Sequence, residues 1–131
     1  MIDPALERRI RRAYADFARG DLDAAMAGFA PEAELVNPEY SMEADSSGRD
    51  ALRESFEAMH AQFEYESLDV VHIEATPRGV LAEVRARATG RGSGVPIDET
   101  FTHVLDIRDG RIVAYRWFST RAEGRAAAGL G

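Results

Sequence analysis

The feature that most constrains this chain is a change of hydrophobic period near residue 65. Upstream, apolar residues recur every three or four positions; downstream, they recur every second one. Helices are therefore expected first and strands afterwards. Leu6, Ile10, Ala13, Tyr14 and Phe17 form one helical stripe. Asp3 stands at its cap, Pro4 at its first helical position, and Gly20 ends it. Asp21 caps a second, short helix with Leu22, Ala25, Met26 and Phe29 on one face, and Pro31 stops it. A short strand from Ala33 to Asn37 follows. Residues 38–48, with Pro38, serines, acids and Gly48, read as a loop. A third helix is expected from about Arg49 to Phe63, carrying Leu52, Phe56, Met59 and Phe63.

From Tyr65 on, Leu68, Val70 and His72 alternate with Asp69, Val71 and Ile73, and Pro77-Arg78-Gly79 makes a turn. The next strand sets small residues (Val80, Ala82, Val84, Ala86, Ala88) against a mostly charged face that includes Glu83, Arg85 and Arg87. After a turn marked by Gly90, Gly92 and Gly94, Phe101, His103, Leu105 and Ile107 share a face. Asp109-Gly110 is a strong hairpin signal. Val113, Tyr115, Trp117 and Ser119 then face one way, and Ile112, Ala114, Arg116 and Phe118 the other. An Ala-rich tail could close as a short helix. The result is an α+β domain with helices on one face of an antiparallel meander. Both faces of the last strand are apolar, so the second face is expected to be covered by another copy of the chain in a homodimer.

Composition narrows the function classes. The 131 residues fit one domain, 1–131, with no repeat or linker. A net charge of −7 argues against nucleic acid, since phosphate binding needs a basic face. No uncharged apolar run nears the ~20 residues of a membrane span, and the charged N-terminal region lacks the apolar core of a secretory signal. A cytoplasmic protein without membrane partners is the expectation. The absence of cysteine excludes disulfides, thiolate catalysis and cysteine-ligated metals. The three histidines have no short ligand spacing, so no metal is expected. Gly90-x-Gly-x-Gly does not open a helix, so no dinucleotide cofactor is expected either.

His103 is the residue to watch. It points where Phe101, Leu105 and Ile107 point, while the small residues at 80–88 leave room rather than fill it. Small side chains on one wall and aromatic ones on another describe a cavity for a small hydrophobic molecule. The plain alternative is a core histidine satisfied by a backbone carbonyl, and Tyr14 and Trp117 have an equally plain reading as core aromatics with tethered polar tips. His60 and His72 read as surface residues. Glu34, Glu83 and Glu99 read as solvated, on the reading that each alternates with apolar neighbours. Which side of strand 80–89 faces the cavity stays open at this stage. The loop 38–48 is a candidate rim or lid, with Tyr40 and Met42 as its apolar contacts.

Several motifs run in order along nearly the whole chain: Ala18-Arg-Gly-Asp-Leu-Asp-Ala-Ala25, Val36-Asn37-Pro38, Gly48-Arg-Asp-Ala-Leu-Arg53, Arg108-Asp-Gly-Arg-Ile-Val113, Arg121-Ala-Glu123 and Ala128-Gly-Leu130. In order and spacing the chain resembles the SnoaL-like branch of the nuclear transport factor 2-like superfamily. The resemblance implies a cone-shaped barrel, with a strongly bent, mostly antiparallel sheet wrapped around three N-terminal helices, usually paired as a dimer. It puts His103, Tyr115 and Trp117 at pocket-facing positions and Asn37 at the pocket end of the first strand. Similarity to ketosteroid isomerases implies a general base at Asn37, where an amide cannot serve, an acid at His103, and the oxyanion tyrosine at Ala13, beside Tyr14. Similarity to polyketide cyclases matches His103 to a pocket histidine and sets the catalytic aspartate at or near Trp117. The Asp-Arg-Asp set of epoxide hydrolases has no counterpart on the apolar faces. The expected site is thus His103 as catalytic group with Tyr14, Asn37, Phe56, Met59, Phe101, Tyr115 and Trp117 around the ligand. It would serve an isomerase- or cyclase-like enzyme without cofactor, acting on a hydrophobic carbonyl compound. The alternative is a non-catalytic domain that binds a hydrophobic metabolite.

Overall fold

The computed structural model describes residues 1–38, 40–41 and 45–131. Its elements run α1 (Pro4–Ala18), α2 (Leu22–Met26), β1 (Phe29–Val36), β2 (Ser46–Ser47), α3 (Arg49–Gln62), β3 (Phe63–Thr76), β4 (Gly79–Gly90), β5 (Pro96–Arg108), β6 (Arg111–Phe118) and α4 (Arg121–Ala127). Asp3 Oδ1 accepts from the Ala5 amide and Asp21 Oδ1 from the Ala24 amide, so both expected caps act as such. The second helix is shorter than the pattern suggests. It ends at Met26, and Phe29 and Pro31 belong to β1. A five-residue helix cannot bury enough surface to extend itself, whereas β1 gains a place in the sheet.

One six-stranded sheet runs in the order β2-β1-β6-β5-β4-β3. β3 to β6 form the expected antiparallel meander, while β1 joins it parallel to β6, which makes the sheet mixed. Asp109 and Gly110 both have positive φ, 53° and 75°, as a tight two-residue hairpin requires. β4 and β5 pair without a break from Gly79↔Asp106 to Thr89↔Pro96. β3 and β6 do not. Against consecutive partners they carry an extra residue at Glu66, Val71 and Val113, each a bulge. A bulge bends the strand and turns every later side chain to the other face. Ile73 and Ile112 consequently face inward, where simple alternation places His72 and Val113.

Helices α1 and α3 cover the inner face. Leu52 is fully buried with Phe17, Met26, Phe29 and Phe56, while Ile10 packs on Val80 and Leu105. Each such side chain contributes about 1.5–3 kcal/mol of burial. The outer face, expected to need a second copy, carries α4 of the same chain, lying over β4, β5 and β6. Gly124 permits this: a Cβ there would stand 2.5 Å from Thr102 Cγ2. Arg125 pairs with Glu74, and Arg121 Nε with Glu83 Oε2 at 2.5 Å, holding the helix to the sheet. A homodimer would have to use other surface than the part beneath α4. Among the described residues, no helix is long and apolar enough to cross a membrane.

Candidate functional site

Between the inner face of the sheet and helices α1 and α3 lies a cavity of about 280 Å³. That is near the lower end of the range of about 300–1,000 Å³ typical of small-molecule sites. Six of the eight expected site residues form its wall: Tyr14, Phe56, Met59, Phe101, His103 and Tyr115. β4 turns its small side chains to this side, but only Ala86 and Ala88 border the space. Val80, Ala82 and Val84, on the same face, are packed into the core.

His103 is buried and bonded at both ring nitrogens, by side chains and not by a backbone carbonyl. Tyr14 Oη from α1 lies 2.5 Å from Nδ1, and Tyr115 Oη from β6 lies 2.6 Å from Nε2. α1 delivers Tyr14 because residues 6, 10, 14 and 17 share its inward stripe. β6 delivers Tyr115 because it pairs with Leu105, two residues from His103 on the same face. Burial pushes the imidazolium pKa down from 6.5 to about 3, so His103 is neutral at physiological pH. Burial raises the pKa of Tyr14; burial, with the nearby Tyr14 and Tyr65 hydroxyls, raises that of Tyr115 well above 10. All three groups therefore keep their neutral forms.

A count of protons then fixes what the trio offers. A neutral imidazole has one N–H, and each phenol has one O–H. Whichever tautomer holds, one phenol donates to the bare ring nitrogen and the ring N–H donates to the other phenol's oxygen. The second phenol keeps an O–H that the chain does not use. Since both tyrosines border the cavity, that hydroxyl is available to an acceptor oxygen on a ligand. The surplus donor can be Tyr14 or Tyr115, exchanged by one shift of protons along the chain.

Asn37 and Trp117 are brought together, but not at the cavity wall. Trp117 Nε1 donates to Asn37 Oδ1 at 2.6 Å, and the indole packs at the edge of the cluster that holds Phe17 and Leu52. The loop contact Tyr40 packs edge-on against Trp117, and its Oη lies 2.9 Å from Ser119 Oγ, outside the wall. Met42, its expected companion, lies outside the described residues. His60 and His72 are both half-buried, with His60 Nε2 2.5 Å from Phe17 O and His72 Nε2 2.7 Å from Glu74 Oε2. Among the described residues, no group of three or more His, Cys, Asp or Glu could hold a metal ion. Sequence reasoning missed the wall residues Phe29, Tyr65 and Ile112, and it read Glu99 as solvated only. Glu99 is exposed, yet it borders the cavity. Its phase, two residues before Phe101 and four before His103, was the available signal.

The SnoaL-like domain model matches residues 10–115, most of the chain and nearly the whole barrel. The chain belongs to the SnoaL-like domain family. No curated protein matches it at a significant level. Among solved structures it is similar to a candidate isomerase from Bacillus subtilis, at 20% identity and a TM-score of 0.76, covering 95% of this chain and 92% of that one. A candidate polyketide cyclase from Xanthomonas campestris is similar at 21% identity and a TM-score of 0.74, covering 92% and 94%. A protein with a ketosteroid isomerase-like fold from Catenulispora acidiphila, solved with trimethylamine, is similar at 15% and 0.75, covering 99% and 96%. At these identities the likeness establishes the fold: a SnoaL-like α+β domain with a mixed, curved sheet.

Proposed function

We propose that this SnoaL-like domain binds a small, largely apolar carbonyl compound and polarises its oxygen through the Tyr14–His103–Tyr115 chain, in an isomerase- or cyclase-like reaction. The observation that carries the reading is the histidine held at both nitrogens by phenols inside an apolar cavity. A fixed donor aimed at an oxygen on which negative charge develops stabilises an enolate-like transition state more than the ground state. With a conjugate acid near 3, His103 is a weak base at neutral pH. Its role in this reading is to position and recharge the donating phenol, while the ligand's α-proton passes to solvent or another base.

The test uses 1-tetralone with the full chain. Binding is expected to lower the carbonyl stretching frequency, and the Tyr14→Phe/Tyr115→Phe double variant is expected to lose that shift. Equal frequencies in both proteins would refute the donor role. A second reading, a binding domain without turnover, is favoured by one observation: among the described residues, Glu99 is the one carboxylate at the wall, four positions along β5 from His103. Hydrogen–deuterium exchange at the α-carbon of bound 1-tetralone in D₂O decides between them. Exchange faster with the protein than without it supports catalysis; no acceleration, with tight binding, supports the second reading.

A further inference from the structure

β5 presents two adjacent acids in opposite surroundings. Asp98 points outward and is held bidentately by Arg85, at 2.8 and 2.7 Å. Glu99 lies on the inward face with Ile97, Phe101 and His103, all of which border the cavity. Among the described residues Glu99 has no hydrogen-bond or ion-pair partner. Its position relative to the open space is specific. The cross-strand neighbour of Glu99 is Ala86, and that of Ile97 is Ala88, the two alanines whose small side chains leave the gap. A ligand end that fills this gap therefore lies alongside the Glu99 carboxylate. The other charged wall residue, Arg9, is beside the far hairpin, where Nη2 already donates to Gly110 O at 2.8 Å.

We infer that Glu99 is a specificity residue that selects ligands carrying a protonated amine at the end seated against Ala86 and Ala88. The inference rests on the cavity reading above and extends it to an amphiphile with two ends. An acceptor oxygen sits at the Tyr14–His103–Tyr115 chain, an ammonium sits at the mouth, and an apolar body lies between. His103 and Glu99 are four residue steps apart along the strand, about 13 Å between backbone positions, a length that such a molecule spans. No cation among the described residues pairs with this carboxylate, and Glu99 is exposed, so binding an ammonium there does not strand a buried charge.

The probes are n-octylammonium and n-octanol, equal in chain length and different in charge, measured by calorimetry against the full chain and its Glu99→Gln variant. Glu99 is exposed, so the variant keeps the fold. The expected result is that the substitution weakens n-octylammonium about fivefold, as for a partly exposed ion pair, and leaves n-octanol unchanged. The methyl signals of Ala86 and Ala88 should shift when the amine binds. An amine affinity that is the same in both proteins, or a loss shared equally by the alcohol, overturns the inference while leaving the cavity reading intact. If n-octanol itself does not bind the unaltered chain, the cavity reading falls, and this inference with it.

Discussion

One face of β4 has two halves with different fates. Val80, Ala82 and Val84 are closed in completely, while Ala86 and Ala88, on the same face of the same strand, border open space. The side chains differ little in size, so size alone does not decide. Their neighbours do. The packed half lies opposite Leu105, His103 and Phe101 and under Ile10 and Tyr14 of α1. The open half lies opposite Ile97 and Glu99, where β5 has run past its last pairing with β6 at Thr102↔Phe118. A small residue makes a cavity only where no helix or neighbouring strand comes in to fill it. His103 stands at the boundary, anchored on the packed side and facing the open one.

The strongest way to break this contrast is to truncate both halves of the β5 wall. Leu105→Ala, opposite Val80, should cost about 2–5 kcal/mol in urea unfolding, whereas Ile97→Ala, opposite Ala88, should cost less than about 1 kcal/mol. Equal losses would mean that the two halves are packed alike.

Acid sharpens the boundary. His103 has a pKa of about 3 when folded against 6.5 when exposed, so between those values the unfolded chain binds the extra proton. Its share of stability is complete above about pH 6.5 and falls as pH drops toward 3, by about 1.4 kcal/mol per pH unit. A His103→Phe variant should lose that part of the slope, measured as unfolding free energy between pH 6.5 and 4.

Enlarging the alanines gives a third contrast. Ala82→Leu should overpack and cost about 1–3 kcal/mol. Ala88→Leu should change stability by less than about 1 kcal/mol while abolishing n-octanol binding, because its new atoms enter the cavity. A modest effect is expected from Tyr14→Phe. Losing one hydrogen bond to a ring nitrogen should cost about 0.5–1.5 kcal/mol, read as a lower thermal midpoint.

Much of this was legible in the sequence wherever the period runs unbroken. β4 and β5 pair without a bulge, so the phase that placed His103 beside Phe101 and Leu105 describes their true common face. The same phase, carried two residues back, reaches Glu99. Legibility fails at Glu66, Val71 and Val113, because a bulge leaves no residue signature yet reverses every later side chain. Ile73 and Ile112 were set on the wrong face for that reason alone. Asn37 is an expected ligand contact on the resemblance alone, and Trp117 on its strand face with Tyr115 as well; their bond to each other is a tertiary fact that no local pattern announces. The tail's helix was visible, but that it covers the outer sheet face depends on Gly124 meeting Thr102 from across the fold.

The central claim is a neutral imidazole held between two phenols at the wall of an apolar cavity. Long-range ¹H–¹⁵N correlation spectra of the His103 ring, recorded from pH 8 down to pH 4, test it most directly. The expected result is the pair of ¹⁵N shifts of a neutral imidazole throughout, whether of one tautomer or averaged over both, without titration in that range. A ring that protonates with a midpoint near 6.5 would place His103 in water and contradict the account.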